Sequence, residues 1–180
     1  RTCSLKNIIG NTPLLAIDFN YKGAKRTIYA KAEHINMSGS IKDRMAYYII
    51  CKSLESGHLK TNTPLVEATS GNTGISVSAI GRALGHKVII YMPEWLSQER
   101  KDIIRSLGAT IHIVSKEEGG FLGSIEKANA EAEKIGGFLT SQFSNCYNID
   151  AHYSTTGPEI WWQLKIRNLK PNAFIAGVGT

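Results

Sequence analysis

Leu65-Val66-Glu67-Ala68 runs into Thr69-Ser70-Gly71-Asn72-Thr73-Gly74 and then into Ile75–Leu84, and this stretch decides the fold. The first part reads as a strand and the second as a polar loop. The third has the apolar spacing of a helix, stopped by Gly85. The same pattern recurs on both sides. Upstream, Thr27–Ala30 is a short β-branched run and Asn36–Ser40 a loop. Asp43–Ser56 has helical spacing, with Ala46, Ile49, Ile50 and Leu54 on one face and Gly57 as the stop. Downstream, Lys87–Met92 reads as a strand, Ser97 as an N-cap, and Gln98–Leu107 as a helix ended by Gly108. Thr110–Val114 is a strand, Ser124–Ile135 a helix ended by Gly136-Gly137, and Phe138–Thr140 the start of another strand. Pro158 suits the first turn of a helix running toward Asn168, and Ala173–Val178 is a last strand. This alternation predicts an α/β fold with a parallel, doubly wound sheet. Ligands in such sheets bind at the carboxyl ends of the strands, which points to Asn36–Lys42, Thr69–Gly74 and Gly177–Thr180.

Composition narrows the class. The 180 residues suffice for one domain with a sizeable core. With 42% hydrophobic and 20% charged residues the chain is ordinary for a globular protein, and no apolar run approaches the roughly 20 residues that span a bilayer. No membrane partner is expected. Cys3, Cys51 and Cys146 are too few and too irregularly spaced for a disulfide framework or a CxxC metal site. That usage predicts a reducing, cytoplasmic setting without a metal. The formal charge of +6 comes from 21 basic and 15 acidic residues scattered along the chain, so solvated faces rather than a nucleic-acid partner are expected.

Three segments hold residues suited to chemistry. Lys42 falls at the first turn of a helix, where the positive end of the helix dipole favours the neutral amine. A neutral, partly desolvated amine is what a Schiff base with an aldehyde cofactor requires. On position alone, a solvated first-turn lysine is the simpler reading. Thr69–Gly74 closes a strand and opens a helix, and its polar side chains with the helix N–H groups make a site suited to a carboxylate. By itself it fits an ordinary capped turn equally well; it is neither a GxxxxGK[ST] nor a GxGxxG loop. Ala176-Gly177-Val178-Gly179-Thr180 reads as a strand entering a phosphate-cradling loop.

Taken in order, further segments carry a resemblance. Ile9-Gly10-Asn11-Thr12-Pro13-Leu14, Asn36–Arg44 with its Ser40-Ile41-Lys42-Asp43-Arg44, and Thr69–Gly74 resemble motifs of the cysteine synthase and cystathionine β-synthase family. So do Gln142-Phe143-Ser144-Asn145, Thr155–Trp161 and Ala176–Thr180, in the family's order and spacing over essentially the whole chain. The resemblance implies a fold-type II pyridoxal-phosphate enzyme, tryptophan synthase β-like, cut after the entry to its phosphate loop. It implies a smaller α/β domain over about 43–148, with 1–42 and 149–180 joining a larger cofactor domain. It implies that Lys42 carries pyridoxal 5'-phosphate as a Schiff base and that Asn72 bonds the cofactor's ring oxygen. Gly177, Gly179 and Thr180 would begin the phosphate loop, and Thr69, Ser70, Gly71, Thr73 and Gln142 would bind the substrate carboxylate. The implied reaction is β-replacement on an activated serine: O-acetylserine and sulfide give cysteine and acetate through an aminoacrylate. Cystathionine synthesis and cysteine desulfhydrase-type release of sulfide share that intermediate. The implied partners are an amino acid, sulfide or a thiol, and a second copy in a homodimer. A non-catalytic fragment or regulatory scaffold is the alternative of another class, against which the intact lysine and carboxylate loop argue.

Three stretches depart from the family pattern. Met37 stands where the family usually has proline, Cys146-Tyr147-Asn148-Ile149 follows Asn145, and Gly119–Gly123 replaces the usual loop near the mouth of the site. These departures bear on the substrate.

Overall fold

The computed structural model describes residues 2–177. A short helix, α1 (Thr2–Lys6), precedes an antiparallel hairpin of β1 (Leu14–Tyr21) and β2 (Ala24–Lys31). Lys22 and Gly23 turn it with φ of +50° and +75°, the two positive values that a two-residue type I′ turn needs. The sequence reading found only part of β2 and missed β1. Leu15, Ile17, Phe19 and Tyr21 point to one side of the hairpin, which Ile28, the cross-strand partner of Ile17, shares, and all are exposed. After a single 3-10 turn, Glu33–Ile35, the chain enters α2 (Lys42–Glu55).

The core is the predicted parallel sheet. Its strands are β3 (Leu65–Ala68), β4 (Val88–Pro93), β5 (Thr110–Val114) and β6 (Phe138–Leu139), in the order β5-β4-β3-β6. β3 and β4 are nearly continuous apolar runs, as strands covered on both faces must be. On one face Leu65, Val88, Ile90 and Met92 pack against α2, α3 (Asn72–Ala83) and α4 (Gln98–Ser106), through Ile50, Val77, Ile80 and Ile104. On the other, Val66, Ala68, Tyr91 and Val114 meet Ala128 and Ala132 of α5 (Gly120–Ile135). Helices on both faces make the sheet doubly wound. A third cluster joins Met45 and Ile49 to Ala151 of α6 (Cys146–Ala151).

The order of strands places the site. The chain lays down β3, β4 and β5 in one direction, then returns to set β6 on the other side of β3. Strand order reverses between β3 and β6, so the crevice beyond their carboxyl ends is flanked by Thr69 and by Thr140–Gln142.

Several boundaries differ from expectation. Ser97 does precede α4 with extended backbone, but its side chain makes no capping hydrogen bond. α5 starts at Gly120 rather than Ser124, because Gly119 (φ +92°) turns the chain directly into the helix. A π-helical turn, His152–Thr156, leads into α7 (Gly157–Ile166), which has Pro158 in its first turn as predicted. The strand predicted at Ala173–Val178 is not formed over residues 173–177. Phe174 and Ile175 are exposed, and no strand among the described residues pairs with them; an extended segment becomes a strand only through its ladder. Val178 lies outside the described residues.

Candidate active site

Lys42 is the first residue of α2, half-buried, with its backbone N–H donating to Ser40 Oγ at 3.2 Å. Among the described residues no carboxylate lies within ion-pair distance of its amine. Burial lowers its proton affinity below the ordinary lysine range. Lys42 is thus a half-buried amine with no carboxylate partner among the described residues. Its neighbours fix it. Asp43, fully buried, accepts from Ser38 N at 2.6 Å and from Ser38 Oγ, and Ser38 Oγ lies 3.2 Å from Ser76 Oγ in α3. One serine thus ties the lysine loop to the helix that opens with Asn72.

Arg44, on the other side, is the centre of a charge cluster. Its guanidinium grips Glu33 through Nε (2.7 Å) and Nη2 (2.8 Å), and Glu159 of α7 through Nη1 and Nη2 (both 2.7 Å). Lys31 Nζ reaches Glu159 at 2.6 Å, and the Asn11 N–H reaches it at 2.8 Å. Burial opposes ionisation of Glu159, yet the bonds from Arg44, Lys31 and Asn11 outweigh it and hold the carboxyl down at about 2. Bidentate guanidinium–carboxylate pairs fix orientation as well as distance. The cluster clamps α2 to the N-terminal segment and to α7. Asn11, Arg44 and Glu159 stand in motifs, yet the sequence shows no bond among them, because Arg44 and Glu159 are separated by most of the chain.

The Thr69–Gly74 loop lies at the reversal of strand order. Thr69 and Thr73 are buried, Gly71 and Asn72 half-buried, and Ser70 exposed. A Cβ at Gly74 would come within 2.6 Å of Thr69 Cγ2 and 3.2 Å of Ile104 Cδ1, so only glycine lets α3 start this close to the loop. Thr73 Oγ1 donates to Gln142 Oε1 at 2.6 Å, joining the loop to the segment after β6. The sequence reading put Thr73 and Gln142 in one site, and the structure brings them together. No hydrogen bond joins Lys42 directly to the loop; the Ser38–Ser76 contact relates them. Gly177 is exposed, with open space where a Cβ would stand, and Gly179 and Thr180 lie outside the described residues.

Three further residues border the site. Arg100 of α4 lies beside the loop, its Cζ 3.7 Å from the Cβ position of Gly71. His152 sits in the π-helical turn; burial lowers its proton affinity, and the charges of Lys42 and Arg44 lower it further. Glu67, buried in β3, accepts from Thr140 Oγ1. The only sequence signal for Glu67 was an acid inside an apolar strand.

The departures also find places. Met37 packs against the main core, and the loop turns without proline through the Gly39 N–H to Asn36 C=O bond at 2.9 Å. Asn145 caps α6 by accepting from Tyr147 N at 3.0 Å, and Asn148 Nδ2 donates to the Gln142 carbonyl at 2.8 Å. A Cβ at Gly120 would lie 2.6 Å from the Trp95 ring, while Phe121 meets Phe143 edge-on with centroids 6.2 Å apart. Both altered stretches therefore touch the surroundings of Gln142.

These residues fit pyridoxal phosphate: an amine with no counter-ion, half desolvated, and a loop of hydroxyl, amide and helix N–H donors on the helix to which it is tied. The comparisons agree. The model of the family described as pyridoxal-phosphate dependent enzyme matches residues 5–180. Cysteine synthase B of Salmonella typhimurium is 40% identical over 177 residues, 98% of this chain and 57% of that protein. Cysteine synthase of Staphylococcus aureus is 37% identical over 177 residues, 98% of this chain and 56% of its own. Among solved structures, a hydrogen sulfide-producing enzyme of Fusobacterium nucleatum has 54% identity and a TM-score of 0.90, over 93% of this chain and 51% of that one. O-acetyl serine sulfhydrylase isoform 3 of Entamoeba histolytica has 33% identity and a TM-score of 0.80, over 89% and 49%. The chain spans about half the length of these relatives. With its parallel α/β architecture, the chain belongs to the family of pyridoxal-phosphate dependent enzymes and is similar to cysteine synthases over nearly its whole length.

Proposed function

We propose that the protein catalyses β-replacement on an activated serine, with O-acetylserine and sulfide giving cysteine and acetate. The observation that carries this reading is Lys42, a half-buried amine with no counter-ion, tied through Ser38 to the helix of the carboxylate loop. Bound pyridoxal phosphate supplies an electron sink for negative charge at the amino acid's α-carbon. Lys42 Nζ would hold the cofactor covalently and, when free, would take the proton from the substrate's α-carbon. Its lowered proton affinity suits both tasks. Asn72 would bond the cofactor's ring oxygen, and Gly177, Gly179 and Thr180 would begin the segment that holds its phosphate. Thr69, Ser70, Gly71, Thr73 and Gln142 bind the substrate carboxylate, where the N–H groups and dipole at the start of α3 favour an anion. Acetate would leave the β-carbon with its bonding pair, hydrosulfide would add there, and Lys42 would return the proton to the α-carbon.

A second reading runs the same site on cysteine, with sulfide as the leaving group. The 54% identity to a hydrogen sulfide-producing enzyme supports it. The test is to express the complete reading frame and to measure cysteine formed from O-acetylserine and sulfide beside sulfide released from cysteine. Faster cysteine synthesis is expected; faster sulfide release selects the second reading. No turnover in either assay would contradict both. Thr73→Ala and Gln142→Ala are expected to weaken amino-acid binding by about tenfold or more while sparing cofactor loading, since each loses a bond to a charged group. Equal losses of amino acid and cofactor would show that they form no carboxylate site.

A further inference from the structure

We propose that Glu67 is a positioning residue for the amino-acid site, holding Gln142 where strand order reverses so that Gln142 in turn holds Thr73. The inference deepens the carboxylate-site reading above and rests on it. Glu67 is 4% exposed and interrupts an otherwise apolar β3, in a place where an aliphatic side chain would meet no desolvation penalty. Its carboxyl is surrounded by donors from the two strand ends that flank the crevice. Thr140 Oγ1 donates to Oε2, and the Gln142 N–H, the Gln142 side-chain amide and the Ala68 N–H all favour its ionised form. None of these donors is a cation, unlike those around Glu159.

The backbone explains why such a staple is needed. β6 pairs with β3 only through Phe138 and Leu139, and the last ladder bond, Thr140 N–H to the Val66 carbonyl, is 3.3 Å long. Ser141 then adopts a left-handed conformation (φ +51°), which swings the chain away from the sheet. Beyond that point no ladder holds Gln142. Its place depends on the bond from Thr140 to Glu67 two residues before it, on its own Nε2, which donates to the Ala68 carbonyl at 3.5 Å, and on Asn148 Nδ2 at its carbonyl. From there Gln142 Oε1 accepts from Thr73 Oγ1 at 2.6 Å. The chain of contacts runs from a buried acid to the side chain of the carboxylate loop. Burial pushes the Glu67 carboxyl up to about 7, and the same donors keep it from rising further.

Replacing Glu67 by glutamine keeps its shape but turns one acceptor into a donor facing the Gln142 N–H. The test uses the protein expressed from its complete reading frame and loaded with pyridoxal phosphate. Binding of O-acetyl-L-serine and L-cysteine is followed by the cofactor's absorption. Glu67→Gln is expected to weaken amino-acid binding by about tenfold with cofactor loading unchanged, and to add nothing in a Gln142→Ala background. Thr140→Val, which removes one donor without touching the acid, is expected to give a smaller loss of the same kind, and it serves should Glu67→Gln fail to fold. Wild-type affinity in both variants would overturn the positioning role. So would a full further loss beside Gln142→Ala, or parallel losses of cofactor and amino acid. A wild-type protein that loads cofactor but binds neither amino acid would instead overturn the carboxylate-site reading, and this inference with it.

Discussion

Glu159 and Glu67 are both withdrawn from water, yet their carboxyls are held at about 2 and about 7. The difference lies in the donors around them. Glu159 is gripped by the Arg44 guanidinium and the Lys31 ammonium, whose charges outweigh the cost of burial. Glu67 has a hydroxyl and amides, which satisfy its oxygens but supply no opposite charge. Full charges arranged bidentately make the first region a clamp on the helix that carries Lys42. Neutral donors make the second a frame whose groups are shared with the residues beside the crevice. The two regions lie on either side of the same candidate site and divide its support between them.

Breaking the clamp is expected to have the largest effect. Arg44→Met leaves Glu33 and Glu159 without the cation that both were built around, and removing one partner of a buried ion pair costs about 3–5 kcal/mol. Urea unfolding is expected to show that loss, with cofactor loading falling as the start of α2 loosens. A variant as stable as the wild type would mean that the cluster is ornamental.

That clamp is the part of the molecule least visible in its sequence. Parallel strand–helix units could be read because their signals are local: β3, its polar loop and α3 are punctuated by Gly71, Gly74 and Gly85 within one stretch. The resemblance put Thr73 and Gln142 in one site, since both stand in family motifs, but the bond between them came only with the fold. Arg44 and Glu159 are brought together only by the packed fold. Hairpin strand β1 was missed although Lys22-Gly23 between alternating apolar runs is a turn signal; its apolar face stays exposed among the described residues, so burial gave no second cue. Glu67 was passed over because a single acid does not disturb a strand pattern. The last strand was over-read, since apolar residues at 173–176 satisfy the pattern but the ladder partner does not come with it.

A pH series sharpens the comparison with a smaller effect. Glu159 is ionised in the folded chain far below its ordinary value of 4.5, so its contribution is complete above about 4.5 and is lost as pH falls toward 2. Glu67 has the opposite sign. Folded, it keeps its proton up to about 7, whereas the unfolded chain releases it near 4.5, so its contribution declines as pH rises between those values. Thermal midpoints measured from pH 3 to pH 8 are expected to show that decline flattened by Glu67→Gln and the acid-side loss flattened by Glu159→Gln. Identical profiles for the two variants would erase the distinction drawn here.

The smallest expected effect lies at the rim. Arg100 is exposed beside Gly71, so Arg100→Gln should weaken amino-acid binding by only a few-fold, with a difference that fades at high salt, as for exposed charges worth about 0–1 kcal/mol. A loss as large as that from Thr73→Ala would place Arg100 inside the carboxylate site instead.

The central claim, that Lys42 is the lysine of the cofactor, has a direct measurement that does not depend on turnover. The protein expressed from its complete reading frame is loaded with pyridoxal phosphate, reduced with borohydride, digested, and mapped by mass spectrometry. The account predicts the added pyridoxyl mass on the peptide containing Lys42, and no such label in Lys42→Ala. The label on another lysine, or none on the wild-type protein, would contradict it.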